Sequence, residues 1–166
     1  VNLEAQLQML QSQINPHFMF NVLNHIHVLM QKNVDLASDL LLQYSDLLRF
    51  QLYKGKCDKI RLEEEVLFLK NFVEIEKLRW GEKLRVDCNW IVANRNFEIP
   101  PLLLIPFIEN AFKHGVSYRR ESFIHVSMQL EEGNRISFRC ANSCGGIVDK
   151  KDHGIGLENI RKRLRL

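Results

Sequence analysis

The sequence predicts an α+β protein in which an N-terminal helical hairpin precedes a two-layer α/β sandwich. Two observations support this fold class. Apolar residues recur at helical steps of three and four through residues 1–54. Residues 57–166 instead switch between helical periodicity and the apolar–polar alternation of strands. Because the pattern changes near Gly55, we divide the chain into residues 1–56 and residues 57–166.

The first part is predicted to hold two helices. Its apolar stripe is formed by Leu3, Leu7, Leu10, Ile14, Phe18, Val22, Ile26 and Leu29. We expect this helix to continue across Pro16 with a shift of the stripe, because proline removes one helical hydrogen bond. A turn at 33–35 leads to a second helix that ends near Tyr53. Faces this broad predict pairing with a second copy, which gives a dimeric four-helix bundle.

The second part alternates helices and strands. It begins with a predicted helix from Leu62 to Gly81, a strand at 84–90, and a helix that follows Pro100-Pro101 and ends at Gly115. Two strands, at 124–130 and 136–140, come next. A glycine-containing loop at 145–154 then leads to a last helix at 157–166. This order predicts helices over one face of a mixed sheet.

Composition excludes several classes of protein. The 166 residues are 46% hydrophobic and 26% charged, which is ordinary for a globular domain and excludes a disordered or low-complexity chain. A net charge of +3 is too small to indicate a nucleic-acid partner. The longest apolar run, Leu102 to Ile108, is interrupted by proline and far shorter than the roughly 20 residues of a membrane helix. The N-terminus does not read as a signal peptide.

The cysteine pattern does not indicate a metal site. The four cysteines are Cys57, Cys88, Cys140 and Cys144, and no two of them form a Cys-x-x-Cys pair. We therefore expect free thiols in a reducing compartment rather than a zinc site.

The first motif that carries chemistry is Asn-Pro-His-Phe-Met-Phe-Asn at 15–21. His17, Asn21 and Asn24 share one helical face, and an exposed imidazole is a nucleophile able to accept a phosphoryl group. Taken alone, a helical histidine is more often a packing or surface residue than a nucleophile, and we interpret His25 and His27 in that way.

The second motif is Pro-Phe-Ile-Glu-Asn-Ala-Phe-Lys-His-Gly at 106–115. Glu109, Asn110, Lys113 and His114 lie along one side of the predicted helix. A carboxylate can act as a base, an amide oxygen can hold Mg²⁺, and lysine and histidine can meet phosphates. The alternative is the solvated polar face of an amphipathic helix.

The third motif joins Asn142 to a Gly-x-Gly sequence at Gly154 and Gly156. Glycines directly before a helix let backbone N–H groups approach an anion at the helix start. On its own this signal is weak, because turns use glycine in any case.

In this order, the three motifs resemble the cytoplasmic core of sensor histidine kinases of bacterial two-component systems, specifically the LytS/YehU-like group. Leu78-Arg79-Trp80-Gly81 also resembles a connecting motif of that family. The resemblance implies a dimeric hairpin followed by an ATP-binding domain of the histidine kinase, gyrase and Hsp90 type. It further implies autophosphorylation with ATP and Mg²⁺, relay to the receiver domain of a response regulator, and a place as the cytoplasmic part of an inner-membrane protein. Any membrane contact would run through segments outside this chain.

The resemblance also implies a role for each motif residue. His17 would be the phosphoacceptor, and Glu109 would be a candidate base. Asn110 would be the Mg²⁺ ligand, Lys113 and His114 would contact phosphates, and Asn142 would contact adenine. Gly154 and Gly156 would frame the ATP lid, and Asn159 and Arg161 on the next helix would be weaker candidates for contacts.

Three departures from the family pattern keep alternatives open. Phe18 stands where many other histidine kinases carry an acid, and Asn142 replaces an adenine-contacting acid. The chain also stops at Leu166, where the ATP domain is expected to continue, so we expect a truncated sheet. The alternatives are a dimeric scaffold with a degenerate nucleotide pocket and an ATPase of the gyrase and chaperone group.

Overall fold

The structure, a computed structural model, describes residues 14–92, 96–117 and 119–143. We number its elements in chain order. The helices are α1 (Pro16–Met30), α2 (Val34–Tyr53), α3 (Leu62–Trp80) and α4 (Ile105–Gly115), and the strands are β1 (Ile60–Arg61), β2 (Leu84–Ile91), β3 (Glu98–Ile99), β4 (Ser122–Glu131) and β5 (Arg135–Asn142). The predicted α+β class and helix–strand order are confirmed over these residues.

The start of α1 corrects one prediction. Pro16 is the first residue of the helix and not an interior kink. Proline costs no hydrogen bond at this position, because the first N–H groups of a helix have no intrahelical partner. Asn15 caps the helix, since its Oδ1 accepts a hydrogen bond from the Phe18 N–H at 3.2 Å. Asn33 caps α2 in the same way, so this helix starts within the predicted turn.

Aromatic rings join the hairpin to α3. Phe18 of α1 lies 4.5 Å from Phe72 of α3 and 5.9 Å from Tyr44 of α2, measured between ring centroids. Phe50 of α2 stacks on Phe68 of α3 at 4.7 Å. These contacts bury the inner faces of α1 and α2 against α3 and form one continuous hydrophobic core with the sheet layer.

The main sheet has the strand order β2–β4–β5. β2 runs parallel to β4, and β4 runs antiparallel to β5, so the prediction of a mixed sheet is confirmed. The inner face of β4 is fully buried at Ile124 and Val126. Helix α4 covers β4 and β5, with Phe107 in ring contact with Phe138.

The remaining differences lie in short elements and strand ends. β1 and β3 form a two-stranded antiparallel ladder that the sequence pattern did not predict. β5 continues through Asn142, which pairs with Ile124, whereas the predicted strand ended at Cys140. Cys88 was expected on the apolar face of β2 but is exposed, because β2 is an edge strand.

A buried carboxylate fixes the approach to α4. Glu65 of α3 has no exposed surface, and it accepts hydrogen bonds from the Leu102 N–H at 2.8 Å and the Leu104 N–H at 3.2 Å. Leu102 adopts a φ of 56°, a conformation that is uncommon for a branched residue. Glu65 thereby holds the chain in the loop from which α4 starts.

Several predictions lie outside the described residues. They are the stripe before Ile14, Gly154, Gly156, Asn159, Arg161, the last helix and the loop before it. Over the described ranges, no helix combines the length and apolar character needed to cross a membrane, and no cluster of metal-binding side chains is found. Cys57, Cys88 and Cys140 form no disulfide within these ranges.

Candidate functional site

A cleft of about 760 Å³ opens between α1, α3 and α4. Each helix contributes both polar and aromatic side chains to its lining. The lining residues are Asn15, His17, Phe18 and Asn21 from α1 and its cap, Phe72, Glu76, Arg79 and Trp80 from α3, and Pro106, Glu109, Asn110, Phe112 and Lys113 from α4, with Val116 beyond its end. The cleft therefore brings together two of the three motifs singled out in the sequence.

His17 lies on the exposed wall of the cleft, one residue after the proline that opens α1. Its Nδ1 is 3.2 Å from the Asn21 Nδ2, one helical turn away. The same amide nitrogen lies 3.4 Å from Nε2, so its N–H can donate to whichever ring nitrogen carries no proton. The imidazole is thus oriented by its own helix and remains accessible to solvent.

Asn15 connects the segment that carries His17 to α4. Its Nδ2 donates to Glu109 Oε1 at 3.3 Å, across 94 residues of sequence. Burial raises the pKa of the Glu109 carboxyl, and the hydrogen bond from Asn15 opposes part of that rise. A carboxylate with a raised pKa is a better base near neutral pH than an exposed one.

The other α4 residues divide between the cleft and its surroundings. Asn110 and Lys113 line the cleft beside Glu109, whereas His114 is exposed and does not line it. Within the described part of the chain, no side chain or backbone group hydrogen-bonds to the Asn110 amide. Its oxygen and nitrogen are therefore accessible to a ligand.

Helix α3 supplies a polar cluster that the sequence analysis did not assign. Glu76 is only 2% exposed, and its two oxygens accept hydrogen bonds from Arg79 Nη1 and Trp80 Nε1, each at 2.9 Å. The Arg79 guanidinium lies 4.7 Å from the centroid of the Trp80 ring. Burial raises the pKa of Glu76, Arg79 and Trp80 lower it, and the nearby Glu109 raises it again. The sequence signals were the resemblance of Leu78-Arg79-Trp80-Gly81 to a connecting motif and the spacing of three and four residues from Glu76 to a cation and an indole.

Asn142 lies apart from the cleft, at the C-terminal end of α4. A Cβ added to Gly115 would approach the Asn142 Cβ to 2.5 Å, so glycine is required for this contact. The Asn142 Nδ2 donates to the Ser143 carbonyl at 2.9 Å, and Ser143 Oγ donates to the Gly115 carbonyl at 2.6 Å. These bonds tie the end of β5 to α4 and leave the Asn142 Oδ1 as an acceptor.

The chemistry of the cleft follows from these residues. It holds a solvent-accessible imidazole, a carboxyl with a raised pKa, an amide and two cationic side chains within one volume. Such a set can bind an anionic group, orient a nucleophile and accept a proton.

Comparison with known proteins yields one family and several relatives. The family described as Histidine kinase matches residues 5–84. The sensor histidine kinase YpdA of Escherichia coli is 33% identical over 98% of this chain and 30% of its own length. The sensor histidine kinase/phosphatase LytS of Staphylococcus aureus is 30% identical over the same shares of the two chains. YwpD of Bacillus subtilis, a putative uncharacterized protein by its name, is 29% identical over 96% of this chain and 61% of its own length. The chain thus spans less than a third of the two sensor kinases.

Proposed function

This chain belongs to the histidine kinase family, and from that membership we propose that it transfers the γ-phosphoryl group of ATP to His17. The observation that carries the proposal is the shared cleft. His17 and the Glu109–Asn110 pair lie on its walls, and the Asn15–Glu109 hydrogen bond joins the two segments at 3.3 Å. A phosphoacceptor and the polar face of an ATP-site helix have to meet in this way for direct transfer.

In the proposed step, a ring nitrogen of His17 forms a bond to the γ-phosphorus of ATP. The bond from that phosphorus to the bridging oxygen breaks, and ADP leaves with the electron pair. The proton on the other ring nitrogen passes to Glu109, whose carboxyl is suited to accept it because burial raises its pKa. The protein otherwise contributes position and charge neutralisation.

The oxygen donors of α4 fit a magnesium site in their chemistry. Carboxylate and amide oxygens are ligands that Mg²⁺ accepts, and the Asn110 amide has no competing hydrogen bond among the described residues. Mg²⁺, when bound, would neutralise charge on the ATP phosphates. We propose Asn110 as its protein ligand and Lys113 as a phosphate contact. His114, together with Gly154, Gly156 and Asn159 outside the described residues, keeps the role that the family resemblance implies for it.

Adenine recognition is proposed for Asn142. Since its Nδ2 is engaged by the Ser143 carbonyl, its Oδ1 is the atom available to accept from the adenine amino group. An amide in place of a carboxylate weakens this bond, because it lacks the charge-assisted part.

The transfer is tested by incubation of the chain with γ-labelled ATP and Mg²⁺. We expect acid-labile, alkali-stable label on the parent and its loss in His17→Ala, with nucleotide binding retained. His125→Ala is the matched control, because this histidine is exposed on β4, away from the cleft. Label that persists in His17→Ala contradicts the assignment.

Other results of the same assay would favour the alternatives. Steady release of phosphate without labelled protein would indicate an ATPase of the gyrase and chaperone group. Neither label nor nucleotide binding would indicate a scaffold with a degenerate pocket. If His17 is labelled, addition of a receiver domain should move the label to an aspartate of that partner.

A homodimer is proposed from the outer faces of the hairpin. Exposed apolar side chains recur at three- and seven-residue steps, outside the stripes that pack on α3. They are Phe20, Leu23 and Met30 on α1 and Val34 and Leu41 on α2. Apolar stripes with this spacing are typical of helices that pair in a bundle.

The dimer is tested by sedimentation. The parent should sediment at about twice 19.6 kDa, and Leu41→Glu should produce monomers, because a carboxylate buried in an apolar seam is unfavourable. Leu67→Glu is the matched control, since Leu67 is 60% exposed on α3 outside the stripe. A monomeric parent at high concentration would refute the proposal.

A further inference from the structure

Arg79 brings a cationic group to the wall of the cleft that holds His17. Its side chain is 18% exposed, so it is largely buried but still reachable from the cleft. Its charge also acts on α1: burial is the larger cause that lowers the pKa of His25, and the positive charge of Arg79 is the smaller one. Arg79 also lines the same cleft as His17 and Asn21 of α1.

The guanidinium is held in a fixed orientation. Glu76 accepts one hydrogen bond from Arg79 and one from Trp80, both at 2.9 Å, so each carboxylate oxygen has its own partner. The Trp80 ring supports the guanidinium from one face. Because the three residues occur within five positions of α3, the helix itself sets their geometry.

This orientation leaves binding capacity toward the cleft. A guanidinium has five N–H donors, and the bond to Glu76 uses one of them. Planar guanidinium groups match the oxygens of phosphates, and a donor set fixed in advance needs no reorganisation when the anion arrives.

We propose that Arg79 is a phosphate-binding residue that holds the phosphoryl group at His17, and that Glu76 and Trp80 position its guanidinium. This inference rests on the proposed transfer to His17 and adds a third contact from α3 to those expected from α4. Arg79 exchanges no proton in the step; it binds oxygens of the phosphoryl group that stay on phosphorus.

The test uses inorganic phosphate, so that it does not depend on kinase activity. Imidazole resonances of His17 are followed by NMR while phosphate is added to the chain. We expect a saturable shift in the parent and a dissociation constant raised about tenfold in Arg79→Lys, because the planar fork and one charge-assisted bond are lost. Arg85→Lys is the matched control, since Arg85 is 80% exposed on β2.

Glu76→Gln and Trp80→Phe test the positioning roles. Both variants keep the Arg79 charge, and we expect weaker phosphate binding at His17 in each. Because Trp80→Phe also removes a hydrogen bond to the buried Glu76 carboxylate, far-UV circular dichroism first establishes that both variants are folded. Phosphate binding equal to the parent in both would refute their roles.

The outcomes separate this inference from the proposed function. A folded parent whose His17 resonances do not respond to phosphate, or an Arg79→Lys variant that binds phosphate within about twofold of the parent, overturns the Arg79 proposal. Absence of ATP-dependent label on a parent that binds phosphate through Arg79 overturns the kinase proposal and leaves the phosphate site in place.

Discussion

Replacement of Glu65 by alanine should destabilise the fold more than any exposed glutamate replacement on the same helix. Its carboxylate is fully buried and accepts from two buried backbone N–H groups, those of Leu102 and Leu104. Alanine leaves both donors without their partner. Each buried donor left unsatisfied costs about 1–3 kcal/mol, so we expect a loss of about 2–6 kcal/mol in the free energy of unfolding.

Glutamine at the same position should be milder. Its amide oxygen can still accept from one of the two N–H groups, whereas its NH₂ group faces the other donor. We therefore expect Glu65→Gln to lose about half as much, roughly 1–3 kcal/mol. Glu74→Ala is the matched control, because Glu74 is exposed on α3 and pairs with the exposed Lys77. Its expected cost is below about 0.5 kcal/mol.

Urea unfolding followed by far-UV circular dichroism measures all three variants. The reasoning also predicts a functional consequence, because the Leu102–Leu104 loop leads directly into α4. A Glu65→Gln variant that folds should bind Mg·ATP more weakly than the parent. A Glu65→Ala variant within about 0.5 kcal/mol of Glu74→Ala would refute the accounting.

Three further predictions concern the cleft and the core. Burial raises the pKa of Glu109, so the stabilisation from its protonated form is full below the unfolded pKa and is lost as pH rises through the folded one. Urea titrations should show that Glu109→Gln gains stability relative to the parent as the pH rises above the unfolded pKa of Glu109, and a difference that does not change with pH would contradict this. Gly115→Ala would place a Cβ 2.5 Å from the Asn142 Cβ and would therefore displace Asn142. Calorimetry should then show weaker ATP binding and a smaller preference for ATP over GTP. Parental values for both would contradict the proposed role of Asn142 in adenine recognition. The Tyr44 hydroxyl is buried without a partner among the described residues, and burial raises the pKa of Tyr44 to about 12. The free energy of unfolding of Tyr44→Phe should equal that of the parent or exceed it by up to about 1 kcal/mol. A decrease of more than about 1 kcal/mol would show that the hydroxyl has a hydrogen-bond partner.

The positions of the helices and strands could be predicted wherever the periodic pattern of apolar residues extended over many residues. Helix α3 begins at Leu62 and ends before Gly81 as predicted, because acidic residues open it and glycine closes it. β1 was missed because a strand of two residues, Ile60–Arg61, has no periodicity to read. Pro16 was misread because the same residue is tolerated at a helix start and disruptive inside a helix, and the apolar stripe alone does not distinguish the two.

The candidate site was predictable in part. His17, Glu109 and Asn110 were found from their motifs, and the structure brings them into one cleft. Glu65 and Glu76 were missed, because a glutamate on a charged helix reads as solvent-facing. The partners of Glu65 lie far along the chain, at Leu102 and Leu104, and the sequence carries no local sign of that contact. The partners of Glu76 lie on its own helix, but their spacing alone does not indicate burial.

The two hydrogen bonds of Asn15 restrict which residues can occupy that position. Its Oδ1 accepts from the Phe18 N–H, while its Nδ2 donates to Glu109. Serine and threonine can cap a helix but are too short to reach both partners at once. Aspartate can cap equally well but would place a second negative charge against Glu109. Among the usual capping residues, only asparagine carries an acceptor and a donor on one planar group. The residue that caps α1 therefore also fixes the approach of α1 to α4.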